Sequence, residues 1–244
     1  MLDHDERTPA AGCGAIARLL GCALLAMAAT TQAQVITEFS AGISANAQPD
    51  GITAGPDGNL WFTEYNGDRI GRITPAGVVT EFSVGITPGS RPVDITAGAD
   101  GNLWFTEYSG NRIGRITTAG IVTEFSAGIS PDSSPESITA GPDGNLWFTE
   151  TKGERIGRIT TAGVVTEFST GMSVGSGPAG ITAGPDGNLW FTEYDGNRIG
   201  RITTSGFITE FSAGISAGAR PLGITAGPDH NLWFTEQLDR KSVV

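Results

Sequence analysis

GPDGNLWFTE, residues 55–64, decides the fold, because it returns unchanged at 141–150 and 184–193. It returns with one substitution as GADGNLWFTE at 98–107 and GPDHNLWFTE at 227–236. Trp61, Trp104, Trp147, Trp190 and Trp233 stand 43 residues apart, and Phe39, Phe82, Phe125, Phe168 and Phe211 keep the same interval inside TEFS. A period of this length marks a solenoid, an array or a propeller.

The composition of one unit selects among these. In residues 51–94, GITAG, LWFTEY, RIGRIT and VVTEFS are short strand-like runs separated by PDGN, NG and PAG turns. Asn-Gly between apolar alternations is a strong hairpin signal. Helical repeats need apolar spacing near 3.6 and few glycines, whereas this chain has 36 glycines. The reading is all-β: a β-propeller of four-stranded antiparallel blades with a 43-residue repeat. The blades fall at about 49–86, 92–129, 135–172 and 178–215, with a partial blade at 221–237 and a closing strand at 35–40.

Two-residue turns at Asn66-Gly67 and Ala76-Gly77 would pair Glu64 with Arg69, Trp61 with Arg72 and Arg72 with Glu81. They would gather Leu60, Phe62, Ile73 and Phe82 on the other face. Two apolar faces suit a blade packed between neighbours. The LWFTE glutamates then read as structural partners of Arg69, Arg112, Arg155 and Arg198. The competing reading is a ring of metal- or substrate-binding carboxylates.

Charge and composition narrow the function. The net charge is −11, so the basic footprint of a nucleic-acid binder is missing. Residues 15–29, AIARLLGCALLAMAA, are apolar but short for a membrane span, and Thr31-Gln32-Ala33 offers a small-x-small cleavage site. Residues 1–33 therefore read as a signal peptide, with the product exported to a periplasmic or extracellular space and without a membrane span. The acidic start MLDHDER is unusual for such a leader, and a true start further downstream would explain it. LLGC at 19–22 resembles a lipoprotein site, but most of the apolar run follows Cys22. Cleavage after Ala33 removes Cys13, Cys22 and His4, leaving no cysteine and the single histidine His230.

GPDGNLWFTE followed by NRIGRIT and a TEF strand resembles the virginiamycin B lyase (streptogramin lyase) family over residues 35–237. The resemblance implies a seven-bladed propeller. It also implies a metal-dependent C–O lyase that linearises cyclic streptogramin B-type depsipeptides by elimination, an antibiotic-resistance activity assisted by Mg²⁺. That chemistry needs a base for the proton next to a carbonyl and a cation to polarise that carbonyl. The family supplies histidine and glutamate. His230 replaces the glycine of a PDGN turn and matches no catalytic motif, so no catalytic or metal-binding position is carried over. The alternative function is a non-catalytic secreted propeller that binds a peptide, glycan or cell-surface partner.

After Glu236 the repeat gives way to QLDRKSVV, and residues 238–244 read as a non-repeat, artefactual tail. Either the chain closes as a five-bladed ring with a defective last blade, or it is a truncated, incomplete ring. The abrupt loss of a strict repeat favours the second.

The repeat also shows where variation concentrates. The PDGN and TTAG turns scarcely change, whereas the NG-type loops and the inter-blade links PGSRPVD, PDSSPES, VGSGPAG and AGARPLG differ. In an up-and-down blade these two sets lie at one end, the natural place for an asymmetric ligand. The candidates there are Tyr65, Tyr108, Tyr194, Arg91, Arg220, Asp94, Glu136 and Lys152.

Overall fold

The computed structural model describes residues 36–238 and 242–243. The expected signal peptide at 1–33 lies outside them. From Phe39 onward the chain is one compact unit. Among the described residues there are strands and turns but no helix.

The first blade has β1 at Pro49–Ala54, β2 at Leu60–Glu64, β3 at Arg69–Ile73 and β4 at Val79–Phe82. The second has β5 at Pro92–Ala97, β6 at Leu103–Glu107, β7 at Arg112–Ile116 and β8 at Val122–Phe125. The third has β9 at Pro135–Ala140, β10 at Leu146–Glu150, β11 at Arg155–Ile159 and β12 at Val165–Phe168. The fourth has β13 at Pro178–Ala183, β14 at Leu189–Glu193, β15 at Arg198–Ile202 and β16 at Ile208–Phe211. In the fifth, β17 at Pro221–Ala226 and β18 at Leu232–Glu236 are joined by the short β19 at Ser242–Val243. Within every sheet the strands pair antiparallel in chain order. The first strands are neighbours in the order β1, β5, β9, β13, β17.

The five sheets of the described residues form an incomplete ring, and burial records it. Ile52 is 62% exposed and Leu60 45%, whereas their counterparts Ile95 and Leu103 are 3% and 0% exposed. Among the described residues, blade one has no neighbour on that side. Residues 36–40, expected as a closing strand, adopt no strand. Phe39 instead sits against Gly77, as Phe82 sits against Gly120 one repeat later. The tail expected to be unrelated to the repeat places Ser242 and Val243 opposite Thr235 and Phe234, the register that Ile70 and Gly71 hold against Thr63 and Phe62.

The β2–β3 register agrees with expectation, with Glu64 opposite Arg69 and Trp61 opposite Arg72. The loop that sets it is four residues long, and its left-handed position is Asp68 (φ 47°) rather than Asn66 or Gly67. The β3–β4 register corrects the expectation. Arg72 faces Thr80, and Glu81 faces Gly71. Thr74 N–H donates to the Val78 carbonyl at 3.0 Å, so three residues, Pro75, Ala76 and Gly77, form the turn. An odd loop shifts pairing by one residue and exchanges the faces of β4. Phe82 therefore joins Trp61, stacked at 5.5 Å, and Glu81 joins Phe62 and Arg69.

Each interface repeats the same contacts. The Arg72 guanidinium lies 5.5 Å from both the Trp61 and Phe82 rings and donates to the Thr118 carbonyl of the next blade at 3.2 Å. The Thr63 hydroxyl crosses to the Val93 carbonyl at 2.6 Å and accepts from Gly51 N–H at 2.9 Å. Cation–aromatic contacts of this kind contribute about 0.5–2 kcal/mol each. The apolar filling does most: Trp61, Ile70, Ile86, Ile95, Leu103, Phe105 and Ile116 form one buried cluster spanning two blades.

Candidate functional site

The channel mouth is made by a defect common to all five first strands. In β1 the partners shift between Pro49↔Glu64 and Ile52↔Phe62, a one-residue bulge at Asp50-Gly51. The shift recurs in β5, β9, β13 and β17. The bulge lies at the end of the strand away from the PDGN turn. Bulges re-aim side chains. Here they turn Asp50, Val93, Glu136, Ala179 and Leu222, with Asp94 and Ser137 one residue later, to the lining of the mouth.

The variable loops surround this opening and are tied to the links. Asp68 accepts from Gly89 N–H at 2.7 Å and from Arg91 N–H at 2.9 Å. Asn111 and Asn197 make equivalent bonds to Ser134 and Arg220. Each link residue bound this way has a left-handed backbone: Arg91 at φ 52°, Ser134 at 52° and Arg220 at 55°.

Three adjoining cavities share Glu136 in their walls. One, about 240 Å³, is lined by Asp50, Tyr65, Val93, Tyr108 and Glu136. A second, about 280 Å³, lies over the bulges, with Asp50, Asp94, Glu136 and Ser137 on one side and Ala179, Gly180 and Leu222 on the other. The third, about 320 Å³, is bounded by Glu136, Thr151, Ala179, Tyr194, Asp195, Leu222 and Gln237. Five of the eight predicted residues, Tyr65, Tyr108, Tyr194, Asp94 and Glu136, thus line one continuous opening. Arg91, Lys152 and Arg220 stand behind it. Their cations lie 5.3, 5.4 and 5.2 Å from the Tyr65, Tyr108 and Tyr194 rings. Lys152 also borders a side cavity with Tyr108, Asn111 and Asp132.

Asp94 is structural as well as exposed to the mouth. Its carboxylate accepts from Ile95 N–H at 2.8 Å, Ser137 Oγ at 2.8 Å and Ile138 N–H at 2.9 Å, joining blades two and three. Burial raises its pKa despite those donors. Burial also raises Glu136, against a 2.5 Å hydrogen bond from Thr151 Oγ1 and with the help of Asp50 and Asp94. The bulge positions are therefore acidic in blades one and three, at Asp50 and Glu136, and aliphatic in blades four and five, at Ala179 and Leu222, with Asp195 and Gln237 further out on that side.

The LWFTE glutamates lie elsewhere. Glu64, Glu107, Glu150 and Glu193 are fully buried within their blades. Ion pairs join Glu64 to Arg69, Glu107 to Arg112 and Glu193 to Arg198 at 3.5–3.9 Å. Arg155 instead turns to the Gly153 carbonyl and to Glu167, leaving Glu150 without a contact of that length. Burial, the first cause in each case, pushes these four carboxyls up to about 7 or about 8.

His230 occupies the turn between β17 and β18, at the far end of the strands from the mouth. Among the described residues, no three His, Cys, Asp or Glu side chains converge to hold a metal ion. The acidic trio at the mouth does not fit a divalent cation, since both oxygens of Asp94 are committed to blade-to-blade hydrogen bonds. Sequence reasoning missed Asp50, Thr151, Asp195, Leu222 and Gln237. Asp50 and Leu222 keep the 43-residue register of Glu136, so the register was the available signal once the bulge is known.

The chain matches the model of the virginiamycin B lyase family over residues 25–242. It is similar to the crystal structure of selenomethionine-substituted virginiamycin B lyase from Staphylococcus aureus. The TM-score is 0.75 at 48% identity, covering 80% of this chain and 65% of that one. A streptogramin B lyase structure aligns with a TM-score of 0.76 at 42% identity, covering 82% of this chain and 65% of that one. A catalytically inactive histidine-to-alanine variant of the Staphylococcus aureus enzyme, solved with quinupristin, aligns with a TM-score of 0.76 at 45% identity, covering 82% and 70%. The chain thus spans slightly less than two thirds of the length of the first two. No curated protein matches.

Proposed function

Because the chain belongs to the virginiamycin B lyase family, we propose that it carries the depsipeptide-binding mouth of a carbon–oxygen lyase acting on cyclic streptogramin B-type substrates. The observation that carries the reading is the convergence of Tyr65, Tyr108 and Glu136 in one cavity on the variable face. Tyrosine rings offer flat apolar walls with a polar tip, and a carboxylate accepts hydrogen bonds from ring amides. These groups bind and orient a macrocycle. The apolar floor at Ala179 and Leu222 covers its less polar edge.

Elimination removes a C–H proton, forms a C=C bond and breaks the ester C–O bond to leave a carboxylate. No water is consumed, so the linear product has the mass of the cycle. No step is assigned to Mg²⁺, because the described carboxylates do not form a site for it. Among the described residues no imidazole lines the mouth either, since His230 lies at the other end of the strands. That second observation favours binding without turnover for this stretch of chain. Export, supported by the apolar run at 15–29 and the Ala33 site, completes the proposal.

Purified protein is mixed with Mg²⁺ and a streptogramin B, and the products are read by mass spectrometry and ultraviolet absorbance. A linear isomer of unchanged mass with a new alkene supports the lyase reading. Saturable binding with an intact ring supports the binding reading. Neither binding nor product overturns both.

A further inference from the structure

The links between blades fill the space beside the variable loops in different ways. Arg91 and Arg220 cover the Tyr65 and Tyr194 rings at 5.3 and 5.2 Å and donate to their hydroxyls at 3.4 Å. Where Gly177 holds the arginine register, the Asp195 carboxylate stands 2.7 Å from the place a Cβ would take. Between blades two and three the same register is Ser134, which is too short to cover Tyr108. A cavity of about 200 Å³ lies there, lined by Tyr108, Ser109, Asn111, Asp132, Ser134 and Lys152. Of these, Tyr108 also lines the mouth.

The lining of this cavity is polar and uncommitted. Ser134 is only 6% exposed, yet among the described residues its hydroxyl has no hydrogen-bond partner. The same holds for the Tyr108 and Ser109 hydroxyls, the Asp132 carboxylate and the Lys152 ammonium. Asn111 is committed to the link itself, accepting from Ser134 N–H at 3.1 Å and donating to the Ser130 carbonyl at 2.8 Å. A nearly buried hydroxyl left unpaired points to a partner from outside the chain. Asp132 holds a left-handed backbone, φ 58°, where the three matching links have Gly89, Gly175 and Gly218 at 74–81°. Its carboxylate is thus placed where the turn would more easily take glycine.

Asp132 disfavours an anion and Lys152 a cation, so the lining suits a ligand without net charge. The Lys152 ammonium already faces the Tyr108 ring at 5.4 Å, which leaves the hydroxyls and the Asp132 carboxylate most in need of partners. A ligand hydroxyl both donates and accepts, so a small ring carrying several of them can meet all five groups at once. We propose that this side cavity binds one pyranose ring of an uncharged saccharide. Asp132 accepts from ligand hydroxyls, Lys152 and Tyr108 donate to them, and Ser109 and Ser134 complete the set. The site is separate from the depsipeptide reading of the mouth and does not rest on it.

Methyl glycosides of glucose, galactose, mannose and N-acetylglucosamine are titrated into the protein and followed by NMR amide shifts, with glycine as a zwitterionic probe. Saturable shifts centred on Ser109, Asp132 and Ser134 with at least one glycoside, and none with glycine, are expected. Ser134→Arg with Lys152→Ser reproduces the Tyr65, Arg91 and Ser109 set of the preceding interface. Ser134 and Arg91 share φ 52°, so the backbone accepts the change. The double variant should lower affinity about tenfold or more. Should it fold poorly, Asp132→Gly supplies the residue that the matching links carry, and a similar loss is expected at an unchanged or higher melting temperature. Absence of saturable shifts with all four glycosides, shifts centred elsewhere, or parent affinity in the folded variants overturns the site. Binding of glycine in place of the glycosides overturns the saccharide as its ligand.

Discussion

The Phe105 ring occupies the space in which a side chain on Gly114 would begin: a Cβ there would stand 2.1 Å from the ring's Cζ. The two residues face each other across β6 and β7, and the same distance recurs at Gly71, Gly157 and Gly200. Gly114→Ala is therefore expected to destabilise by about 1–3 kcal/mol, since overpacking forces off-rotamer shifts in a filled core. Chemical denaturation measures it, and Phe105→Leu in the same chain should recover part of the loss. An unchanged midpoint for Gly114→Ala would contradict the close approach.

Blade-to-blade cohesion depends on a hydroxyl that both gives and receives. Thr106 Oγ1 donates to the Glu136 carbonyl at 2.7 Å and accepts from Asp94 N–H at 3.0 Å. Thr106→Val keeps the shape and leaves both backbone groups without a partner. The expected cost is about 1–3 kcal/mol, with faster amide exchange at Asp94 as the site-specific readout.

Acidity should stabilise this protein relative to mild alkali. Glu64, Glu107, Glu150 and Glu193 have pKa values raised to about 7 or about 8 from 4.5, first through burial. Between those limits the folded state holds more protons than the unfolded one, so stability falls as pH rises from about 4.5 to about 8. Burial opposes the ionisation of Asp57, Asp100, Asp143 and Asp186 too, but indole and Asn donors outweigh it and lower their pKa values. Their contribution is present above the ordinary carboxylate range and is lost on acidification below it. Melting temperature should thus peak near pH 5, and a maximum at pH 8 would disprove the assignment.

His230 sits at φ 61°, where the other four repeats have glycine at 74–76°. A non-glycine side chain in this region is uncommon and strained. His230→Gly should raise stability by up to about 1 kcal/mol and leave ligand affinity at the mouth unchanged. Loss of binding or turnover in that variant would place the histidine in the site after all.

Much of the blade was legible because it is local. Trp61 opposite Arg72 and Glu64 opposite Arg69 follow from strand alternation and one turn. The faces of β4 were misread because PAG closes as a three-residue loop, and one residue of slip moves Phe82 and Glu81 to opposite sides. The candidate site was legible in part. Tyr65, Tyr108, Tyr194, Asp94 and Glu136 were visible as interruptions of a strict repeat. Asp50 and Leu222 were not, because the bulge that turns them to the opening leaves no mark in residue spacing.

The sequence by itself determined the repeat, the strand order within each blade and the end of the blade where diversity accumulates. Periodicity 2 within strands and 43 between blades is enough for that. Only the tertiary structure decided which of the diverse residues share a space. The bulge aims Asp50, Val93, Glu136, Ala179 and Leu222 at one mouth, and Thr151, Tyr194 and Gln237 come from three blades to one cavity wall. Those relations join residues of separate blades, brought together by the burial of tryptophan and phenylalanine between sheets, which no single repeat encodes.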